Sequence, residues 1–308
     1  MKRKREKKRE MKKIKLVSSF TEDLIERENN VQKRYGGPAL YGGYTLHVLG
    51  RSYSIITRPS KEILETLSKE RFSFLIERVS FKDLCDTHFV FRHVYHGSFR
   101  ASYLLSKGCD IDLFFEDQSN DQIYIISPVY REFSLDKLKN IISRGYYVAI
   151  DIQGFTRYTQ ENNLLRNYID VEILNHFRGV KILHGGIDEV ASIDRDPLTT
   201  IKIISKIVDP FISIISLGRE GSIAYIRGEG IYRIYSYKGG VDGDETGCGD
   251  ILLASIVALL ESSDPLDAVL KASLISGWRV ERGFPFDIDR DILDKYYTRY
   301  IKYKLIST

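Results

Sequence analysis

The sequence is short of sulfur: 308 residues include only three cysteines and two methionines. Cys85, Cys109 and Cys248 are odd in number and widely spaced, which argues against a disulfide framework and for a reducing cytosol. Long apolar runs are missing too. The longest, from Ile251 to Leu260, is too short to cross a bilayer, so no membrane partner is expected. The basic start is not followed by an apolar segment with a small-residue cleavage site, so no signal peptide is expected. The patterns GxxxxGK[ST], HExxH and GxSxG are absent, which removes support for P-loop, zincin and nucleophile-elbow chemistry. No internal repeat, low-complexity tract or clear linker divides the chain.

Charge of one sign is scarce outside a single place. The formal net charge is +4, yet residues 1–15 hold ten Lys or Arg against two Glu, a balance of +8. The other 293 residues hold 36 basic and 40 acidic groups, a balance of −4. The mild basicity therefore belongs to a tail, and no nucleic-acid partner is expected for the body. Residues 1–13 read as a disordered basic tail, and 14–308 as one domain. The tail is a solvated extension, a non-specific phosphate contact, or an artefact of start-site choice, since Met11 also precedes the first strand. At 43% hydrophobic and 12% aromatic, the body can bury a large core. Many Ile, Tyr, Lys and Glu with little Met has a thermophilic look.

Short apolar runs alternate with helical spacing along most of the chain. Strands are expected at Ile14–Phe20, Tyr53–Thr57, Gln122–Ser127, Tyr146–Asp151, Val180–Leu183 and Phe211–Leu217, then a hairpin of SIAYI and IYRIYSY. Helices are expected after Gly36-Gly37-Pro38, at Ser60–Lys69, Leu135–Ser143 and about 198–206. Three more close the chain, at about 248–261, Pro265–Arg282 and about 289–303. That order implies an α/β fold of three layers (αβα) around a mostly parallel sheet, with ligands at the carboxyl ends of its strands. Residues 21–35 leave room for a small or reduced β lid.

The segment richest in chemistry is GGVDGDETGCGD, residues 239–250, followed directly by the apolar run ILLASIVALL. Gly247 and Gly249 permit a tight turn and close approach of a ligand. The N–H groups of Gly247, Cys248 and Gly249 point out of a helix N-terminus, where the helix dipole favours an anion such as phosphate. Asp250, in the first turn, is placed to act as a base toward a hydroxyl attacking phosphorus.

DETGCGD resembles the signature of ribokinase-like sugar kinases (the PfkB family), which typically reads DTxGAGD before a long apolar helix. SIISLGREGSIAY is similar to that family's strand and glycine loop, with Ser216, Gly218 and Gly221 at the positions that touch nucleotide. Gly36-Gly37 before a helix resembles the substrate motif, and Asp23 matches the acidic residue that holds substrate hydroxyls. DIQGFTR (151–157) resembles a DxxGxxR segment whose Arg157 contacts substrate or phosphate. The resemblance runs from about Ile14 to Gly283, in the family's order.

What the resemblance implies is a cytoplasmic enzyme, monomeric or homodimeric, that transfers the γ-phosphoryl group of ATP to a small sugar, polyol or nucleoside. Asp250 would be the base, and the amides of Gly247, Cys248 and Gly249 the anion hole. Mg2+ would be placed with help from Glu189, and a monovalent cation (K+) would lie at Asp244 and Thr246. The sequence departs from the pattern in places. The Asn of the family's NxxE is Gly186, and the Asn expected after the glycine pair falls at Gly42 or a neighbour. These departures motivate an alternative, a catalytically impaired nucleotide-binding or regulatory protein, against which the retention of Asp250 speaks. Cys85-x2-His88 and His93-x2-His96 suggest zinc, but a strand there would put His93 and His96 on opposite faces.

Overall fold

The computed structural model describes residues 12–27, 30–96, 99–113, 122–240 and 243–308, so the expected tail lies outside the described residues apart from Lys12 and Lys13. The strand runs are apolar at successive positions because both of their faces are covered. Leu16, Ile123, Ile125, Ala149 and Ile182 point into one core. Their neighbours Val17, Tyr124, Ile126, Val148, Ile150 and Leu183 point into the other. With side chains alternating across a strand, only a sheet buried on both sides produces such runs. Helices Pro38–Val48, Cys248–Leu259 and Pro265–Arg282 cover the first face. Leu135–Ser143, Val171–Asn175 and Pro197–Val208 cover the second. This is the three-layer arrangement expected.

The central sheet has ten strands. Taken from one edge, Val79–Ser80, Tyr53–Ile56, Lys13–Val17, Gln122–Ile126, Tyr147–Asp151, Ile182–Gly186 and Ile212–Ser216 are all paired in parallel. Ser222–Ile226, Gly230–Ile234 and Tyr303–Ser307 continue the sheet antiparallel. The last of these is a strand that the sequence reading did not include. The helix expected over about 289–303 is present, running without a break through Ile292–Tyr296 and Tyr297–Tyr300, and it stops short of Tyr303, which opens an edge strand. Trp278, on Pro265–Arg282, is buried in the core.

A second sheet of four strands forms the lid, in the order Asn30–Gly36, Thr21–Arg27, Phe89–His96, Phe99–Ser106. The expected lid segment thus supplies two strands and a later hairpin the other two. Thr21, Glu22 and Asp23 are all buried although polar, so no alternation marked that strand in the sequence. The hairpin also brings together the residues that flank it. Contrary to the expectation of unpaired thiols, Cys85 and Cys109 form a disulfide, with Cα atoms 5.8 Å apart. Wide spacing in sequence became proximity because antiparallel strands return the chain to its starting point. Cys248 is free.

Candidate active site

Four segments end at one place. Tyr147–Asp151, Ile182–Gly186 and Ile212–Ser216 bring their carboxyl ends side by side, and the N-terminus of Cys248–Leu259 packs against them. The cavity there measures about 320 Å³. It is lined by Asp23, Gly37, Arg157, Glu189, Ser216, Gly218, Gly221, Thr246, Gly247, Cys248, Gly249 and Asp250. Of the residues singled out in the sequence, Gly36 and Asp244 stand just outside it.

Gly247 starts the helix in a left-handed conformation, φ 82°, and a Cβ there would meet the Tyr41 ring at 2.5 Å. A Cβ on Gly249 would come within 2.8 Å of the His184 ring. Close approach therefore requires both glycines, and the left-handed turn requires Gly247 besides. The three amides expected to form the anion hole are not equivalent. Cys248 N–H donates to the Glu245 carbonyl at 3.1 Å and so shapes the turn, while no backbone acceptor among the described residues takes the N–H of Gly247, Gly249 or Asp250. The amides without a backbone acceptor are thus those of Gly247, Gly249 and Asp250.

Asp250 is surrounded by charge. Burial, then the neighbouring Asp151 carboxylate, pushes its carboxyl well above the ordinary range, against the pull of His184 and Arg157. Glu189 is pushed up to about 7 for the same two reasons, although Arg157 draws it down and it accepts the Gly186 N–H at 2.7 Å. Burial alone would lower His184, but the charge of Asp151 and the bond to it outweigh burial and raise the imidazole. His184 Nδ1 lies 2.7 Å from Asp151 Oδ2, and its Nε2 lies 2.8 Å from Ser216 Oγ. The result is a continuous row, Asp151–His184–Ser216, along the strand ends under the glycine helix. Three carboxyl groups face one imidazole and one guanidinium. That excess of buried negative charge suits a divalent cation, whose arrival would relieve the shifts of Glu189 and Asp250.

Arg157 is held inside rather than paired at the surface. It donates to the Val129 carbonyl at 3.0 Å and to Gln153 Oε1 at 2.7 Å, and burial lowers its pKa. On the lid side, Thr21 Oγ1 donates to Asp23 Oδ1 at 3.1 Å, and His93 Nε2 stands 3.8 Å from the same oxygen. Gly36 and Gly37 let the chain pass beneath: a Cβ at Gly36 would sit 2.7 Å from Asp23 Oδ2, and one at Gly37 2.5 Å from the Ser19 carbonyl. On the opposite wall, Gly218 and Gly221 hold φ of 56° and 95°, and a Cβ on Gly221 would lie 2.2 Å from the Ile234 carbonyl. Thr246 donates its N–H to Asp244 Oδ1 at 2.9 Å. Asp244, expected beside a monovalent cation, is bound by Arg34 at 2.7 Å and Arg279 at 3.0 Å. His88 pairs with Glu22 and Ser60, and Cys85 is oxidised, so neither belongs to a zinc cluster with His93.

Asp151, His184 and Gln153 also line the cavity, and the sequence did not single them out as site residues; His93, weighed there only in a zinc pattern, lines it too. Asp151 and His184 carried one available signal, a polar residue at or near the carboxyl end of an apolar strand, where open parallel sheets place ligands.

No family model matches the chain, and no curated protein matches it in sequence. Solved structures do match. A sulfate complex of a pyrophosphate-dependent kinase in the ribokinase family has a TM-score of 0.75 at 21% identity, over 91% of this chain and 99% of that one. A nucleoside kinase of Burkholderia thailandensis in complex with inosine gives 0.68 at 14%, over 92% and 97%. Ribokinase of Arabidopsis thaliana with ribose and ATP gives 0.63 at 15%, over 89% and 94%. The chain therefore has the ribokinase-like fold: a large, mostly parallel sheet between two helical layers.

Proposed function

We propose that this protein is a kinase that transfers a phosphoryl group from a phosphoanhydride donor to a hydroxyl of a small sugar, polyol or nucleoside. The observation that carries the reading is Asp250, a buried carboxyl group in the first turn of Cys248–Leu259, beside free backbone amides and in one cavity with the lid residues Asp23 and His93. In this reading Asp23, His93 and Arg157 orient the acceptor. Asp250 takes the proton as the acceptor oxygen bonds to phosphorus and the bridging oxygen leaves with the rest of the donor. Its raised pKa makes it a stronger base near neutral pH than an ordinary aspartate. The amides at 247, 249 and 250 meet the charge on the transferred group. Magnesium, held by Glu189 with Asp151 nearby, would supply charge neutralisation between the phosphates.

ATP is the donor expected from the glycine loop at Ser216–Gly221. Pyrophosphate is the second candidate, favoured by the pyrophosphate-dependent kinases among the matching structures. The alternative of an impaired regulatory protein is disfavoured because Asp250 is retained and stands in one cavity with Glu189 and Arg157. The test is donor consumption, with ATP and with pyrophosphate, over a panel that includes myo-inositol, ribose and inosine. We expect turnover with at least one pair, and Asp250→Asn to lower kcat by about 10²–10⁴-fold with little change in KM. Full activity in Asp250→Asn would overturn the mechanism. Donor binding without turnover on any acceptor would favour the regulatory reading.

A further inference from the structure

We infer that the guanidinium groups of Arg279 and Arg34 take the place of a monovalent cation beside the anion hole, so that this protein neither binds nor needs potassium. The inference rests on the kinase reading for its meaning, but its first test does not use turnover.

The argument starts from the donors available at Asp244. Its Oδ1 accepts the Thr246 N–H at 2.9 Å, and its Oδ2 accepts from Arg34 Nη1 at 2.7 Å and Arg279 Nη2 at 3.0 Å. Both oxygens are committed, and two permanent positive charges stand where a third would have to enter. Arg279 is no surface group free to swing away: it is 3% exposed. Its guanidinium lies 5.8 Å from the Tyr41 ring centre and 5.9 Å from that of Phe284, rings that meet edge to face at 4.7 Å. Aromatic faces of this kind hold a cation. Arg279 also belongs to the last turn of Pro265–Arg282, where the negative end of the helix dipole favours positive charge. Although burial works against it, the Thr246 bonds and the Arg279 charge keep the Asp244 carboxyl below its usual range, so the ion pairs persist at neutral pH.

The charge is also in a useful place. The Tyr41 ring near which Arg279 lies also packs closely against Gly247. A fixed cation thus stands behind the turn that opens the anion hole. Arg34 reaches the same carboxylate from the lid strand Asn30–Gly36, 210 residues away in sequence. The lid and the phosphate loop are therefore tied through one aspartate.

The experiment compares melting of the wild type, Arg279→Met and Arg34→Gln in KCl, NaCl and tetramethylammonium chloride at equal ionic strength, with thallium(I) NMR as a direct probe of binding. The wild type should melt at one temperature in all three salts and show no bound thallium. Removing Arg279 should open the site, so that potassium raises the melting temperature of Arg279→Met by about 2–4 °C over tetramethylammonium. If Arg279→Met does not fold, Arg34→Gln carries the test, since Arg34 lies on the open side with 41% of its side chain exposed. A potassium-specific rise in the wild type, or bound thallium that Asp244→Asn removes, would overturn the inference. So would folded variants that stay indifferent to potassium. Where an acceptor is found, turnover of the wild type should be the same in tetramethylammonium as in potassium. Failure of every acceptor would count against the kinase reading alone, because the melting curves decide the cation.

Discussion

Glu189 binds its proton more tightly in the folded protein than in the unfolded chain. Its pKa rises from the model-peptide 4.5 to about 7, so between those values the native state holds more protons and unfolding free energy falls as pH rises. Glu189→Gln should remove that part of the slope. Denaturant midpoints measured with EDTA at about pH 5 and about pH 7.5 check this: the wild type should lose more on alkalinisation than the variant. Equal slopes would mean that Glu189 is already ionised without metal. At this scale the sequence revealed what is locally determined. Gly247, Gly249 and Asp250 were readable because a turn, a helix start and a carboxylate are adjacent in the chain. The Asp151–His184 pair was not readable, since its members are 33 residues apart and meet only through the pairing of parallel strands.

The lid hairpin makes a prediction at the level of elements. Denatured without reductant, the protein should show one reactive thiol, and with reductant three. Native protein should react slowly, because burial pushes the Cys248 thiol up to about 11. Cys85→Ser should cost about 3 kcal/mol of stability under oxidising conditions and nothing measurable under reducing ones, as expected for closing a loop of this length. Three thiols without reductant would show that the hairpin stands unbridged. Elements of the large sheet were readable because burial on both faces gives unbroken apolar runs. In the lid, Phe89–His96 was readable from its alternation, whereas Thr21–Arg27 was not, because its polar residues Thr21, Glu22 and Asp23 are buried. The C-terminal strand escaped for another reason. Tyr303, Leu305 and Ile306 lie at a sheet edge and stay exposed, so no burial pattern separated strand from helix.

For the molecule as a whole, the described chain is anchored at the end of the basic tail. Lys12 N–H donates to Glu261 at 3.1 Å, and Arg51 pairs with the same carboxylate at 2.7 Å. A variant beginning at Met11 should therefore keep its melting temperature and its phosphoryl transfer rate, while any retention on DNA at low salt disappears. A loss of transfer rate would give the tail a role in the active site. The two walls of the cleft also come from different parts of the chain. Every lid-side residue (Thr21, Asp23, Phe91, His93, Arg157) precedes Gly186, and the facing wall (Ser216, Gly218, Gly221, Thr246, Gly247) follows it. On the proposed kinase reading, the groups that orient the acceptor and the glycine turns that meet the donor are thus written in separate stretches of the gene. Recombination with a crossover between them would then exchange the acceptor side of the cleft while the glycine turns are inherited unchanged.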